Sequence, residues 1–127
     1  MTGSAAPPRR AVSGQATVEM AMALPVLLLG VLLLVQAGLV VAGHVATVHA
    51  AREAARAVAV DGRPGVAGAA VADTGRPGCA TTVDRPASPG ATLRVVVACP
   101  VPTDVPVIGP LVPTVTVRAG ASMRVER

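Results

Sequence analysis

An uncharged apolar run at residues 20–43 limits what this chain can fold into more than any other feature, and Gln36 is its one strongly polar residue. A helix of roughly 20 apolar residues crosses the hydrocarbon core of a bilayer, which is about 30 Å thick. The run is therefore long enough to span a membrane, and it continues without a stop signal into the alanine-rich residues 45–60. A single helix over residues 15–60 would be about 69 Å long, so its C-terminal part must project from the membrane.

Composition limits both the core and the partners. The chain has no Phe, Trp or Tyr, so its core must be built from Val, Leu and Ala, which fill space less well than rings. The net charge of +4 is spread without a basic cluster, and there are no rings for base stacking, which argues against nucleic-acid binding. Arg9 and Arg10 precede the span and follow the positive-inside rule. They predict a single-pass protein of the cell membrane with a cytoplasmic N-terminus and an extracytoplasmic C-terminus.

These patterns predict an α+β fold in four parts. They are a leader peptide at residues 1–14, a transmembrane and projecting helix at 15–60, a connector at 61–78 and a small β-rich exported domain at 79–127. Inside the helix, Pro25 lacks an N–H and crowds the carbonyl four residues earlier, so a kink is expected there.

Glycine and proline set the expected breaks. Gly62 is expected to end the helix as a left-handed cap, with Pro64 blocking its continuation. In the connector, residues 66–73 are expected to form a short helical turn at most.

The C-terminal region has a β pattern. Residues 79–83 and 91–98 are predicted strands joined by a turn. Residues 114–119 and 121–126 are predicted as two further strands, with Gly120 as a break or bulge between them. Five prolines between residues 100 and 113 are expected to exclude regular structure there.

Cys79 and Cys99 lie at the outer ends of the first predicted hairpin, where they would be side by side if the strands pair in register. In an exported domain a disulfide is their expected state, and closing a loop of about 20 residues adds on the order of 3 kcal/mol. The alternative is two unpaired small hydrophobic residues. Two separated cysteines with no nearby histidine do not form a zinc site.

The sequence offers no pattern typical of an active site. His44 and His49 do not share a helix face well, which makes them poor metal ligands, and both are interpreted as polar groups at the membrane exit. Spacing indicates no Ser/His/Asp set, no carboxylate pair and no phosphate-binding loop. We therefore expect no catalytic residues, no metal and no cofactor, and the chain is predicted not to be an enzyme.

Glu19 is the anomaly of the apolar helix, because it places a carboxylate at the entrance of the uncharged run. Ionisable groups at such positions are costly and suggest a function with a nearby partner. Alternatively, Glu19 lies at the level of the lipid headgroups near the positive end of the helix dipole, where an acid is favoured anyway. Position alone leaves both interpretations open.

A short basic leader that ends in Gly14, followed by Gln15-Ala16-Thr17-Val18-Glu19, resembles the type IV pilin class, in which Glu is the fifth mature residue. The longer pattern G-Q-A-T-V-E-M-A-x-A-L-P, then a leucine-rich run and A-A-R-E-A-A-R-A, is similar to the TadE-like family. Those are minor pilin-like proteins of tight-adherence pilus systems. The resemblance is strong over residues 9–60 and loose over residues 61–127.

This resemblance implies that a prepilin peptidase cuts between Gly14 and Gln15 on the cytoplasmic side. It also implies that Glu19 meets the free amino terminus of a neighbouring subunit during assembly. The implied partners are the membrane, the prepilin peptidase and other pilin-like subunits or pilus assembly proteins. Gln15 departs from the aromatic or other apolar residue that many pilins carry at this position.

Two other functions remain as alternatives. The chain could be a secreted binding protein whose apolar run is a cleaved signal peptide, since residues 41–43 and 48–50 place small residues where a signal peptidase reads them. The length of the run and the acid at its entrance argue against this. It could also be a signal-anchored extracytoplasmic protein that keeps residues 1–14.

Overall fold

The computed structural model describes residues 12–103, 105–107, 109–111 and 113–126 of the chain. The elements, in chain order, are helix α1 (Val12–Val60), helix α2 (Val66–Asp73), strand β1 (Ala80–Asp84), strand β2 (Thr92–Val101), a 3-10 turn (Gly109–Leu111) and strand β3 (Val115–Arg124). The strands form one antiparallel sheet in the order β1-β2-β3, which confirms the α+β fold. Most of the predicted leader lies outside the described residues.

The predicted long helix is confirmed as α1, which continues without interruption through Pro25. Within the described residues it is the one helix long and apolar enough to cross a membrane. Nearly all side chains at residues 14–35 are exposed, and helical hydrogen bonding satisfies the backbone of such a segment without help from water. The first half of α1 therefore has the properties of a surface that faces lipid.

The second half of α1 packs on the sheet with a face made mainly of alanine. The buried residues of this face recur at helical spacing and are Ala50, Ala51, Ala54, Ala55, Val58 and Ala59. Strand β2 alternates between buried and more exposed positions, and its buried side chains are Leu93, Val95, Val97, Cys99 and Val101. We refer to α1 from Gly43 onward, α2 and the three strands as the helix–sheet unit.

Gly43 is the residue at which α1 meets the end of β2. A Cβ atom at this position would lie 2.6 Å from Cγ2 of Val101, and Val101 is itself buried. The close approach of helix and strand here therefore depends on the absence of a side chain.

The free energy of unfolding of the helix–sheet unit is expected to be about 1–3 kcal/mol lower in the Gly43→Ala variant than in the Gly38→Ala variant. The reason is that the added methyl group overpacks the buried contact with Val101. Gly38 is the matched control, since a Cβ there meets no atom within 4 Å. Both changes raise helix propensity by a similar amount, so the difference isolates the contact with Val101. Equilibrium unfolding in detergent measures it, and adding Val101→Ala should restore the loss. Equal stability of the two variants would contradict this role of Gly43.

Residues 66–73 form the complete helix α2, so the expectation of a short turn at most was wrong. Alanine is the best helix former, and Ala67 and Val71 are buried where α2 packs against α1. The helix closes with the Thr74 hydroxyl, which donates a hydrogen bond to the Val71 carbonyl at 2.6 Å. Tertiary burial thus stabilises a helix that is too short to form alone.

Two predictions of interruptions in the strands, at Pro100 and at Gly120, were also wrong. Pro100 lies inside β2 opposite Thr116, but the pairing of β1 with β2 stops at Ala98. Strand β2 therefore has a neighbour on one side only at Pro100, and an edge tolerates a residue that lacks an N–H. Gly120 pairs one-to-one with Val96 within a continuous β3, so there is no bulge. The 3-10 turn adds further regular structure to the proline-rich stretch.

The end of α1 differs from the expected glycine cap, because Gly62 does not have a positive φ. Instead the Asp61 carboxylate accepts hydrogen bonds from the Nε of Arg63 at 2.7 Å and from its backbone N–H at 3.0 Å. These hydrogen bonds from Arg63 lower the pKa of Asp61.

Arg85 donates from Nε to the Val58 carbonyl at 3.1 Å, which places a cation at the negative end of the helix. A Cβ at Gly62 would lie 2.8 Å from Nη1 of Arg85.

Candidate processing and assembly site

The three residues predicted for cleavage and assembly lie together at the start of α1. Gly14, Gln15 and Glu19 are all exposed. The Gln15 side chain donates a hydrogen bond from Nε2 to Oε1 of Glu19 at 3.2 Å, because residues four apart are neighbours on a helix surface. The sequence pattern did not indicate this contact, although the spacing of four was its available signal.

The Glu19 carboxylate has no cationic partner in the part of the chain that the structure describes, where the one ion pair joins Arg63 and Asp61. A neutral amide donor such as Gln15 compensates a carboxylate less than a cation does. At the edge of an apolar span such a charge is costly. The arrangement can therefore accept an amine from another chain, and that would offset the cost.

Gly14 lies in open space on the helix, since a Cβ there would meet no atom within 4 Å. Packing among the residues that the structure describes thus gives no reason for a glycine at this position. Glycine weakens a helix by about 1 kcal/mol relative to alanine, so the backbone at the bond between Gly14 and Gln15 is easier to unwind. Both properties suit a bond that an enzyme must reach.

A second group of contacts fixes the connector to the point where α1 leaves the apolar run. Arg76 donates from Nη1 to the Thr47 hydroxyl at 2.9 Å and to the Gly43 carbonyl at 3.2 Å. The Thr47 hydroxyl donates in turn to the Gly43 carbonyl at 2.8 Å. Three residues after Arg76, Cys79 forms the predicted disulfide with Cys99. Sequence reasoning missed Arg76, and nothing in its local sequence indicates these contacts.

The described residues contain no group of three or more His, Cys, Asp or Glu side chains that could hold a metal ion. A pocket of about 360 Å³ lies between the end of α1, α2 and β1, and residues such as Val58, Thr81 and Arg85 line it. Its lining includes no His, Cys, Asp or Glu, so it has neither a general base nor a thiol nucleophile.

A family model described as TadE-like protein matches residues 14–56. These 43 of the 127 residues are similar to that family. The match begins at Gly14 and covers the candidate site together with most of α1. No curated protein and no solved structure matches the chain. The matched segment coincides with most of the described helix that is long and apolar enough to cross a membrane.

Proposed function

We propose that this protein is a TadE-like, non-enzymatic minor subunit or assembly factor of a tight-adherence pilus, and that a prepilin peptidase processes it between Gly14 and Gln15. The observation that carries the proposal is the start of the TadE-like segment at Gly14, five residues before an exposed carboxylate on an apolar helix. The N-terminus lies in the cytoplasm, and the helix–sheet unit lies outside.

Cleavage creates a cationic group that can pair with the Glu19 carboxylate. Hydrolysis of the bond after Gly14 leaves a free α-amine on Gln15, and this amine is largely protonated near neutral pH. In the bilayer, a carboxylate and an amine that leave water together are more stable than either charge alone, and a chain without its partner is penalised. An uncleaved chain offers no such amine, so processing and assembly are coupled.

The helix–sheet unit supports an extracytoplasmic location for the C-terminal part. The disulfide between Cys79 and Cys99 is typical of oxidising compartments. It also stabilises a core of aliphatic side chains without aromatic rings. A short exported unit of this kind suits a filament component or a membrane-retained assembly factor.

The packing of α1 disfavours the secreted alternative. Cleavage by a signal peptidase after residue 50 would remove Gly43, which approaches Val101. It would also remove Thr47, the buried hydrogen-bond partner of Arg76. These residues pack as part of the helix–sheet unit, which favours their retention. The signal-anchored alternative keeps residues 1–14, and in it the outer domain has an adhesive or sensory role.

The mass of the membrane-bound protein tests the proposal when the full chain is expressed with a prepilin peptidase. We expect a mature chain that starts at Gln15. Gly14→Ala should slow cleavage so that the uncleaved form accumulates, although the alanine fits the folded chain. Gly30→Ala is the matched control, because Gly30 is equally open and lies far from the bond, and its processing should be normal.

Two outcomes would contradict the proposal. Full-length protein in the membrane, despite active peptidase, would favour the signal-anchored alternative. Soluble protein that starts at residue 44 or residue 51 would favour the secreted alternative.

A further inference from the structure

Two apolar side chains in the segment between β2 and β3, residues 102–114, are not covered by the fold. We term this segment the exit loop. Val107 is 61% exposed and Leu111 is 78% exposed, and residues 105–113 contain no charged side chain. Exposed apolar surface of this kind marks a contact with a partner or a membrane.

The exit loop leaves the sheet on the membrane side. Its first residue, Pro102, lines a groove of about 480 Å³ that Leu39 and Gly43 of α1 also line. Leu39 lies one helical turn, about 6 Å, closer to the N-terminus than Gly43. The chain therefore passes from the end of β2 toward the apolar half of α1.

The position of this groove coincides with the expected edge of the hydrocarbon. If Glu19 marks the inner boundary, roughly 20 helical residues cross the apolar layer, and the outer boundary falls near Leu39. The start of the exit loop thus lies level with the end of the lipid tails.

Gln36 gives an independent indication that protein covers α1 at this depth. Its side chain is only 7% exposed, although most side chains between residues 31 and 42 are exposed. It lies two turns before Gly43 and hence on the same face of the helix. The exit loop is the segment that continues past Pro102 in this direction, and its Val105 is also buried. A loop that extends along α1 below the sheet would account for the burial of both side chains.

We propose that the exit loop dips into the outer leaflet beside α1, with Val107 and Leu111 in contact with phospholipid acyl chains. The groove that Pro102 and Leu39 line joins the start of the loop to the apolar span, which makes lipid its occupant. This second contact would fix the height and tilt of the helix–sheet unit on the membrane. The inference depends on α1 crossing a membrane, and it does not depend on cleavage or on pilus assembly.

The absence of Phe, Trp and Tyr makes a direct test available, because one introduced Trp is then the only aromatic fluorophore. Full-length Leu111→Trp is reconstituted into phosphatidylcholine vesicles that contain lipids brominated at defined acyl positions. We expect blue-shifted emission, strong quenching by bromines close to the headgroup end of the chains, and weak quenching by aqueous iodide.

Two further single-Trp variants calibrate the depth. Leu28→Trp lies within the apolar run and should be quenched by bromines deep in the bilayer. Thr82→Trp lies on an exposed position of β1, and it should emit as in water and be quenched by iodide. Intact-mass measurement shows that the disulfide has formed in each variant.

The outcomes distinguish membrane insertion of the exit loop from membrane insertion of α1. If Leu111→Trp behaves like Thr82→Trp while Leu28→Trp is quenched by lipid, the exit-loop proposal is overturned and the membrane anchor stands. If Leu28→Trp is not quenched either, α1 is not in the bilayer and both fail. A blue shift of Leu111→Trp that disappears as the protein is diluted in lipid would overturn the proposal in favour of a second copy of the chain as the covering partner.

Discussion

Leu93→Ala is expected to lower the free energy of unfolding of the helix–sheet unit by about 2–5 kcal/mol. Leu93 is 0% exposed and is the largest of the fully buried side chains. Because most of the surrounding core is Val and Ala, few neighbours can move to fill the cavity. Met123, which pairs with Leu93 across the sheet, is flexible enough to fill part of it, and this moderates the loss.

Equilibrium unfolding in detergent measures this effect, and Leu34→Ala is the matched control. The control removes the same atoms from a side chain that is 75% exposed, so it should change the stability of the unit by no more than about 0.5 kcal/mol. A small domain has a total stability of about 5–15 kcal/mol, and Leu93→Ala removes a large part of it. Equal effects of the two substitutions would show that Leu93 is not a core residue.

The features that the sequence predicted well have local signals. The long helix follows from an apolar run and an alanine-rich segment that adjoin without a break. The disulfide follows from two cysteines at matching distances from one turn, and the pairing of Ala80 with Ala98 places them opposite each other. Neither inference required knowledge of how the sheet docks on the helix.

The errors arose where a local rule depends on the neighbouring chain. Pro100 was taken to exclude a strand, but its missing N–H costs little where β2 has one neighbour only. Gly120 was taken as a break, but a glycine in register with Val96 interrupts no hydrogen bond. Helix α2 was underestimated because its stability comes from packing against α1, and eight residues have a weak propensity signal.

The residues of interest at the candidate sites differ in the same respect, since some have a local sequence signal and others do not. The motif singled out Gly14, Gln15 and Glu19 by their order along the chain, and their roles in cleavage and assembly stay predictions. Arg76 and Arg85 were missed because they bond to α1 atoms 33 and 27 residues away. Such contacts exist only once the sheet has docked, and an isolated arginine in a loop does not indicate them.

Glu19→Gln is expected to weaken strongly the association between copies of the mature protein, or with its pilin-like neighbours, and to leave cleavage after Gly14 and the fold intact. Glutamine has nearly the same shape and still accepts the hydrogen bond from Gln15, so the local helix surface is preserved. It lacks the charge, and its pairing with a neighbour's amine is then no stronger than an ordinary hydrogen bond.

Co-purification of two differently tagged copies from membranes measures this association. Glu53→Gln is the matched control, because it removes the same charge from an exposed position of α1 beyond the apolar run, and it should not change the yield. Normal association of Glu19→Gln would contradict a role of the carboxylate in assembly.

A double variant that combines Glu19→Gln with Gly14→Ala tests whether the partner of Glu19 is the α-amine of Gln15 or another group. The α-amine of Gln15 exists only after cleavage, so the two substitutions remove the two halves of one interaction. Effects on a single interaction are not additive, and the double variant should therefore associate no more weakly than the more severe single variant. Additive losses would mean that Glu19 acts on a group that is present before cleavage, and the coupling between processing and assembly would be wrong even if both steps occur.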